Sequence, residues 1–171
     1  MERHGLIIVH TGNGKGKTTA ALGLAMRASG AGLKVLILQF IKGGQLYGEL
    51  NSLAALKIEI RRLGLGFITP ENFSEQKKSA QSAIDIAQKE ILSGAWDLII
   101  LDEINYAVKF GLLGAAEILK LIKIRPPQLH LVFTGRDALP ELIDAADLVT
   151  EMKLIKHPLQ QGITAQAGIE F

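Results

Sequence analysis

The segment IIVHTGNGKGKTTAALGLAMRA, residues 7–28, constrains the fold more than any other part of this 171-residue chain. An apolar run leads into Gly12, Gly14 and Gly16; Lys17, Thr18 and Thr19 then open an Ala- and Leu-rich stretch that stops at the Gly-Ala-Gly of residues 30–32. Strand, glycine turn and helix, in that order, bring backbone N–H groups and a helix N-terminus together on phosphate oxygens. Glycine is needed because the chain must curl with positive φ and let its backbone touch the anion. Lys17 adds a full positive charge, and Thr18 offers a hydroxyl to Mg²⁺. The strict phosphate-loop pattern has a glycine five residues before Gly16, where this chain has Thr11. The loop Gly12-Asn13-Gly14-Lys15-Gly16-Lys17-Thr18 is therefore a variant.

Mg²⁺ on phosphates takes further hard oxygen ligands from a neighbouring strand end. The run LIILDE supplies them, carrying Asp102 and Glu103 to the carboxyl end of an apolar strand, the edge where open α/β sheets bind ligands. Asp102 also suits the N-cap of a helix that follows; two acids together at that edge favour the metal. FTGR ends another strand on the same edge, so Arg136 has two readings, a phosphate contact and a structural ion pair.

Apolar runs of strand length recur between helical stretches: GLIIVH, KVLILQF, KIEIRRL, WDLIILD, QLHLVFT and DLVTEMKLI. This alternation predicts an α/β fold built of βαβ units, with a mainly parallel central sheet flanked by helices. The spacing predicts helices over residues 18–29, 45–56, 113–124 and 139–145, and a long amphipathic one from near Pro70 to Gly94. At 171 residues the expectation is one domain, residues 1–171.

With 48% hydrophobic and 21% charged residues the composition is globular. A net charge of +2 gives no argument for a nucleic-acid or membrane partner. The chain has no cysteine, which excludes disulfides, thiol nucleophiles and Cys-held metals, so any redox step must come from outside. The four histidines share no ligand spacing. The amino end reads as neither signal peptide nor membrane span, and the expected location is the cytoplasm.

Taken together, HTGNGKGKTTAALGLAMRA, LILQFIKGG, GLGF, LIILDEINYAV and the long carboxyl-terminal stretch ending AQAGIEF resemble the ATP:corrinoid adenosyltransferases of the CobA/CobO/BtuR family. The resemblance implies a single-domain P-loop NTPase-type (RecA-like) α/β fold and a homodimer that makes the cobalt–carbon bond of adenosylcobalamin. Co(I), reduced by an external flavoprotein or flavin, attacks the 5′ carbon of ATP. Triphosphate leaves intact from an ATP that lies reversed in the phosphate loop. A general base is not needed, because Co(I) is the nucleophile. A small-molecule kinase would require an arginine-bearing lid, which is not evident, and a RecA-like ATPase would release ADP and phosphate instead.

By the same resemblance Gly12 to Thr18, with Thr19, match the phosphate loop. Glu103 matches the Mg²⁺-associated acid beside Asp102, and Arg27 a position near the adenine. Lys42 falls near the triphosphate or corrin, unless it is a solvated loop lysine. Phe67 matches an aromatic that helps displace the lower axial ligand of Co(II), easing its reduction. The family often reads Gly-Phe-Thr-Trp where this chain reads Gly66-Phe67-Ile68-Thr69. Few residues precede the phosphate loop, so no amino-terminal segment is expected to close over the corrin. The expectation is weaker lower-ligand displacement, or a preference for corrinoids without a tightly bound lower ligand.

Overall fold

A computed structural model describes residues 4–44 and 47–170. Six strands, β1 (Ile7–Thr11), β2 (Val35–Gln39), β3 (Glu59–Arg62), β4 (Leu98–Asp102), β5 (His130–Thr134) and β6 (Leu148–Glu151), form one sheet in the order β3-β2-β4-β5-β1-β6. Every pairing is parallel. Parallel strands need crossover connections, and helices supply them: α1 (Lys17–Gly30), α2 (Glu49–Ala55), α3 (Phe73–Leu92), α4 (Ile104–Lys109), α5 (Ala115–Ile124) and α6 (Pro140–Ala145).

Strand parity divides the core in two. Val9, Leu38, Leu101 and Phe133 face α3, α5 and α6, where Ala80, Ile84, Ala87, Leu121 and Leu142 close the layer. Ile8, Ile37, Ile100 and Val132 face α1, whose Ala21, Ala25 and Ala28 let the helix lie close to the sheet. Strands covered on both faces explain the nearly unbroken apolar runs in the sequence. The two edge strands are the exceptions, β3 partly and β6 fully exposed.

The predicted α/β architecture is the observed one, with shifts at element ends. α3 starts at Phe73, three residues after Pro70, because Asn72 Oδ1 accepts from Thr69 N at 2.8 Å and organises a turn ahead of the helix. α5 starts at Ala115, where the Glu117 carboxylate accepts from Gly114 N at 2.7 Å. α2 begins at Glu49, and residues 45 and 46 of its expected range lie outside the described residues. A short 3₁₀ turn, Pro158–Gln161, had no periodic signal. Because all six strands run the same way, the loops after β1, β2, β3, β4 and β5 meet on one rim.

Candidate active site

The loop after β1 is held by contacts that only glycine permits. Gly12 and Gly16 have φ of 92° and 111°. A Cβ on Gly12 or Gly14 would lie 2.6 or 2.7 Å from the carbonyl oxygen of Met152, just beyond β6. Gly14 N donates to that same oxygen at 2.6 Å, so the edge strand braces the loop from behind. The Lys17 ammonium folds over the cradle and donates to the carbonyls of Gly12 (2.8 Å) and Gly14 (2.6 Å). Burial, and then the nearby Arg136, press its pKa down, while Glu103 and Asp137 pull it back up. No acid neutralises Lys17 by a direct bond among the described residues, which leaves its charge for a ligand.

Gln39 and Asp102 are opposite each other in the β2–β4 register, and Thr134 ends the next strand. All three point to the α1 face, continuing the parity of Ile37, Ile100 and Val132. Asp102, 1% exposed, accepts from Thr18 Oγ1 (2.9 Å) and Thr134 Oγ1 (2.8 Å) on one oxygen and from Gln39 Nε2 (3.0 Å) on the other. A buried carboxylate needs this degree of satisfaction. Glu103 N donates to Thr134 Oγ1 at 2.9 Å, and Glu103 itself takes the left-handed conformation, φ 61°. Such a backbone costs on the order of 1–3 kcal/mol, and here it turns the carboxylate into the cleft. Burial, then Asp102, raise the Glu103 pKa against the opposing pull of Lys42, Lys17 and Arg136.

Lys42 donates to Glu49 Oε1 at 2.9 Å and sits 4.6 Å from the centre of the Tyr47 ring. Burial opposes its charge, but Asp102, Glu49 and Glu103 outweigh that and hold the ammonium above the ordinary lysine range. Between these loops opens a cleft of about 880 Å³. Its lining takes in the phosphate loop and three aromatics, the exposed Phe67 and the Tyr106–Phe110 pair, whose ring centres lie 4.5 Å apart. Thr18, Asp102 and Glu103 offer only hard oxygens, the donor set of a small divalent cation. Among the described residues no three or more His, Cys, Asp or Glu are grouped to hold a metal by themselves.

The sequence profile described as ATP:corrinoid adenosyltransferase BtuR/CobO/CobP matches residues 3–171. A corrinoid adenosyltransferase from Pseudomonas aeruginosa is 41% identical over 99% of this chain and 85% of its own length. Corrinoid adenosyltransferases from Escherichia coli K12 and Salmonella typhimurium, the latter CobA, are 36% and 38% identical, each over 100% of this chain and 88% of their own. The chain belongs to the ATP:corrinoid adenosyltransferase family. Among solved structures, the flagellar accessory protein FlaH of Methanocaldococcus jannaschii (TM-score 0.58, 14% identity, 87% of this chain and 71% of that one) shares the fold. So does the RadB recombinase (TM-score 0.54, 19% identity, 90% and 77%). Both comparisons place the adenosyltransferase sheet among P-loop NTPase-like folds.

In this adenosyltransferase the structure brings Gly14, Lys15, Gly16, Lys17, Thr18, Thr19, Lys42, Phe67, Glu103 and Arg136 to one cleft. Asp102 lies buried next to Thr18. Gly12 shapes the loop from behind, and Asn13 lines a smaller adjoining pocket of about 330 Å³ with Lys15 and Arg136. Arg136 is exposed and makes no ion pair with a described residue. Arg27 is not brought to the cleft: it is exposed in the last turn of α1, about 15 Å along the helix from Lys17. Sequence reasoning missed Gln39 and Thr134, whose signal was their parity with Asp102 at strand ends. It also missed the carboxyl-terminal residues Gly168 to Glu170, which line the cleft where the Glu170 carboxylate pairs with Lys15. No helix among the described residues is long and apolar enough to cross a membrane.

Proposed function

We propose that this chain transfers the 5′-deoxyadenosyl group of ATP to the cobalt of a Co(I) corrinoid, in adenosylcobalamin biosynthesis or salvage. Co(I) supplies an electron pair that becomes the bond to the 5′ carbon, the carbon–oxygen bond to phosphate breaks, and triphosphate leaves with the two electrons of that broken bond. The product is alkylcobalt(III). The observation that carries the reading is a phosphate cradle whose lysine is not neutralised by an acid among the described residues, lining one cleft together with Phe67, Tyr106 and Phe110. The cleft volume is at the upper end of the range of about 300–1,000 Å³ for small-molecule sites, which suits a second ligand beside a nucleotide.

On this reading the backbone N–H groups of the loop and Lys17 stabilise charge growing on the triphosphate, and they do so more strongly in the transition state than in bound ATP. Arg136, Lys15 and Thr19 contact the nucleotide from the rim. Thr18, Asp102 and Glu103 hold Mg²⁺, whose role is to neutralise part of the triphosphate charge. Phe67 meets the corrinoid and disfavours the lower axial ligand of Co(II), so that an external flavoprotein or flavin can reduce it. The working unit is a cytoplasmic homodimer in which residues 1–171 form a single catalytic domain.

The deciding experiment is an anaerobic assay with Mg-ATP and chemically reduced Co(I) corrinoid. A light-sensitive alkylcobalt product with one triphosphate per turnover supports the proposal. Persistent Co(I) with ADP and phosphate accumulating would make the protein an ATPase.

A further inference from the structure

Phe67 is 86% exposed, yet the backbone that carries it is fastened by several hydrogen bonds. Gln76, in the first turn of α3, is 1% exposed, unusual for a glutamine. Its Nε2 donates to two successive carbonyls of the loop, Gly66 O at 3.1 Å and Phe67 O at 3.2 Å. Asn72 Nδ2 donates to Phe67 O as well, at 2.9 Å, while its Oδ1 accepts from Thr69 N. From the other side, Gly66 N donates to Ile41 O at 2.9 Å, and Gly66 adopts φ 94°. A Cβ on Gly64 would lie 2.3 Å from the Ile41 backbone, so this loop and the loop carrying Lys42 are in direct backbone contact.

Exposed single aromatics are ordinary on protein surfaces. A buried amide whose Nε2 is given to the two carbonyls around one is not. Burying a glutamine costs free energy unless its polar atoms are satisfied, and here the satisfaction goes to the loop instead of to α3. The neighbouring Ile68 packs against the core, which drives the Phe67 ring outward into the cleft.

We infer that Gln76, assisted by Asn72, is a positioning residue that holds the Phe67 ring in register to press on the corrinoid. The inference rests on the adenosyl-transfer reading and on the role given there to Phe67. Preorganisation of this kind places a contact group without ordering it at the moment of binding. Neither Gln76 nor Asn72 lines the cleft, so their effect should be confined to the corrinoid step that needs Phe67.

Gln76→Met keeps the buried volume and removes the donors; Asn72→Asp keeps the acceptor for Thr69 N and removes the donor to Phe67. Each is compared with the parent in two assays, one starting from chemically prepared Co(I)cobalamin and one from Co(II)cobalamin with a mild one-electron reductant. Electron paramagnetic resonance of Co(II)cobalamin with Mg-ATP reports how much corrinoid has lost its lower ligand. The Co(II) route should fall about tenfold or more, as expected for lost fixing hydrogen bonds, with a parallel fall in the four-coordinate signal. The Co(I) route should stay within about threefold, since its chemistry needs no ligand displacement. Equal losses in both assays, or an unchanged Co(II) route and signal in both variants, would overturn the inference alone. A parent protein that makes no alkylcobalt from Co(I) would overturn the adenosyl-transfer reading and this inference with it.

Discussion

The Thr18 hydroxyl donates to Asp102 Oδ1 at 2.9 Å, joining the first turn of α1 to the end of β4. Two sequence segments 84 residues apart thus meet at one oxygen pair. Three donors, from Thr18, Thr134 and Gln39, fix both carboxylate oxygens of Asp102 before any ligand arrives. Asp102→Asn preserves the outline but removes the charge and sets an amide N–H₂ against one of those donors. Loss of satisfied buried hydrogen bonding costs about 1–3 kcal/mol, which should appear as a lower Tm. Mg²⁺-dependent ATP binding should weaken by at least about tenfold, the equivalent of about 1.4 kcal/mol, when titrated calorimetrically at fixed nucleotide. Unchanged Mg²⁺ dependence would remove Asp102 from the metal site.

Among the described residues Lys17 hydrogen-bonds only to loop carbonyls, so its removal should leave the fold intact while emptying the cradle of its charge. In comparable sites one preorganised donor contributes on the order of 3 kcal/mol to the barrier, about a hundredfold in rate. Lys17→Ala should therefore be close to inactive with Co(I) corrinoid at saturating ATP, with a Tm near the parent's. Near-normal turnover would refute the assignment.

How these residues find one another was only half legible in the sequence. Period-two alternation in LIILD places Asp102 on the same side as Leu98 and Ile100, and VLILQ does the same for Gln39 with Val35 and Ile37. That much can be read without coordinates. The bond between Gln39 and Asp102 also requires β2 to pair with β4 in one register, a matter of strand order that no local pattern encodes. Arg27 illustrates the reverse case: a segment can match a family motif while helix rise alone carries one residue away from the loop. The pairing of Glu170 with Lys15 had no periodic or turn signal, because the carboxyl-terminal segment is irregular and mostly exposed.

Glu103 links the site to pH. Burial first, and the Asp102 charge second, raise its pKa above the ordinary carboxylate value despite three cations nearby. The folded chain consequently holds this proton more tightly than the unfolded chain does. The stability it contributes is fully present below the unfolded pKa and is lost as pH rises through the folded one. Glu103→Gln is neutral throughout, so the Tm of metal-free, nucleotide-free variant minus parent should move in the variant's favour between about pH 4 and pH 7. Thermal melts across that range check it; a difference that stays flat or moves the other way contradicts the buried, proton-retaining Glu103.

Thr69, where the family resemblance leads to the expectation of a tryptophan, tests whether a second aromatic beside Phe67 matters. The residue is exposed at the turn before α3, and its backbone N is engaged by Asn72 whatever the side chain, so a larger group can project at the cost of the hydroxyl's hydrogen bond to the Glu71 carboxylate. A tryptophan there adds a flat apolar surface two residues from Phe67. Where two aromatics cover a ligand face, each excludes water from the other's contact, and base-like rings gain on the order of 1 kcal/mol or more from such pairs. Thr69→Trp should raise turnover from Co(II)cobalamin with a mild reductant several-fold, while the Co(I) assay, which bypasses ligand displacement, stays level. A corrinoid without a tightly bound lower ligand should show no such gain, because nothing has to be displaced. If the Co(II)cobalamin rate fails to rise, the missing second aromatic is not what limits this enzyme, and its preference must be sought in how the cleft fits the corrin ring.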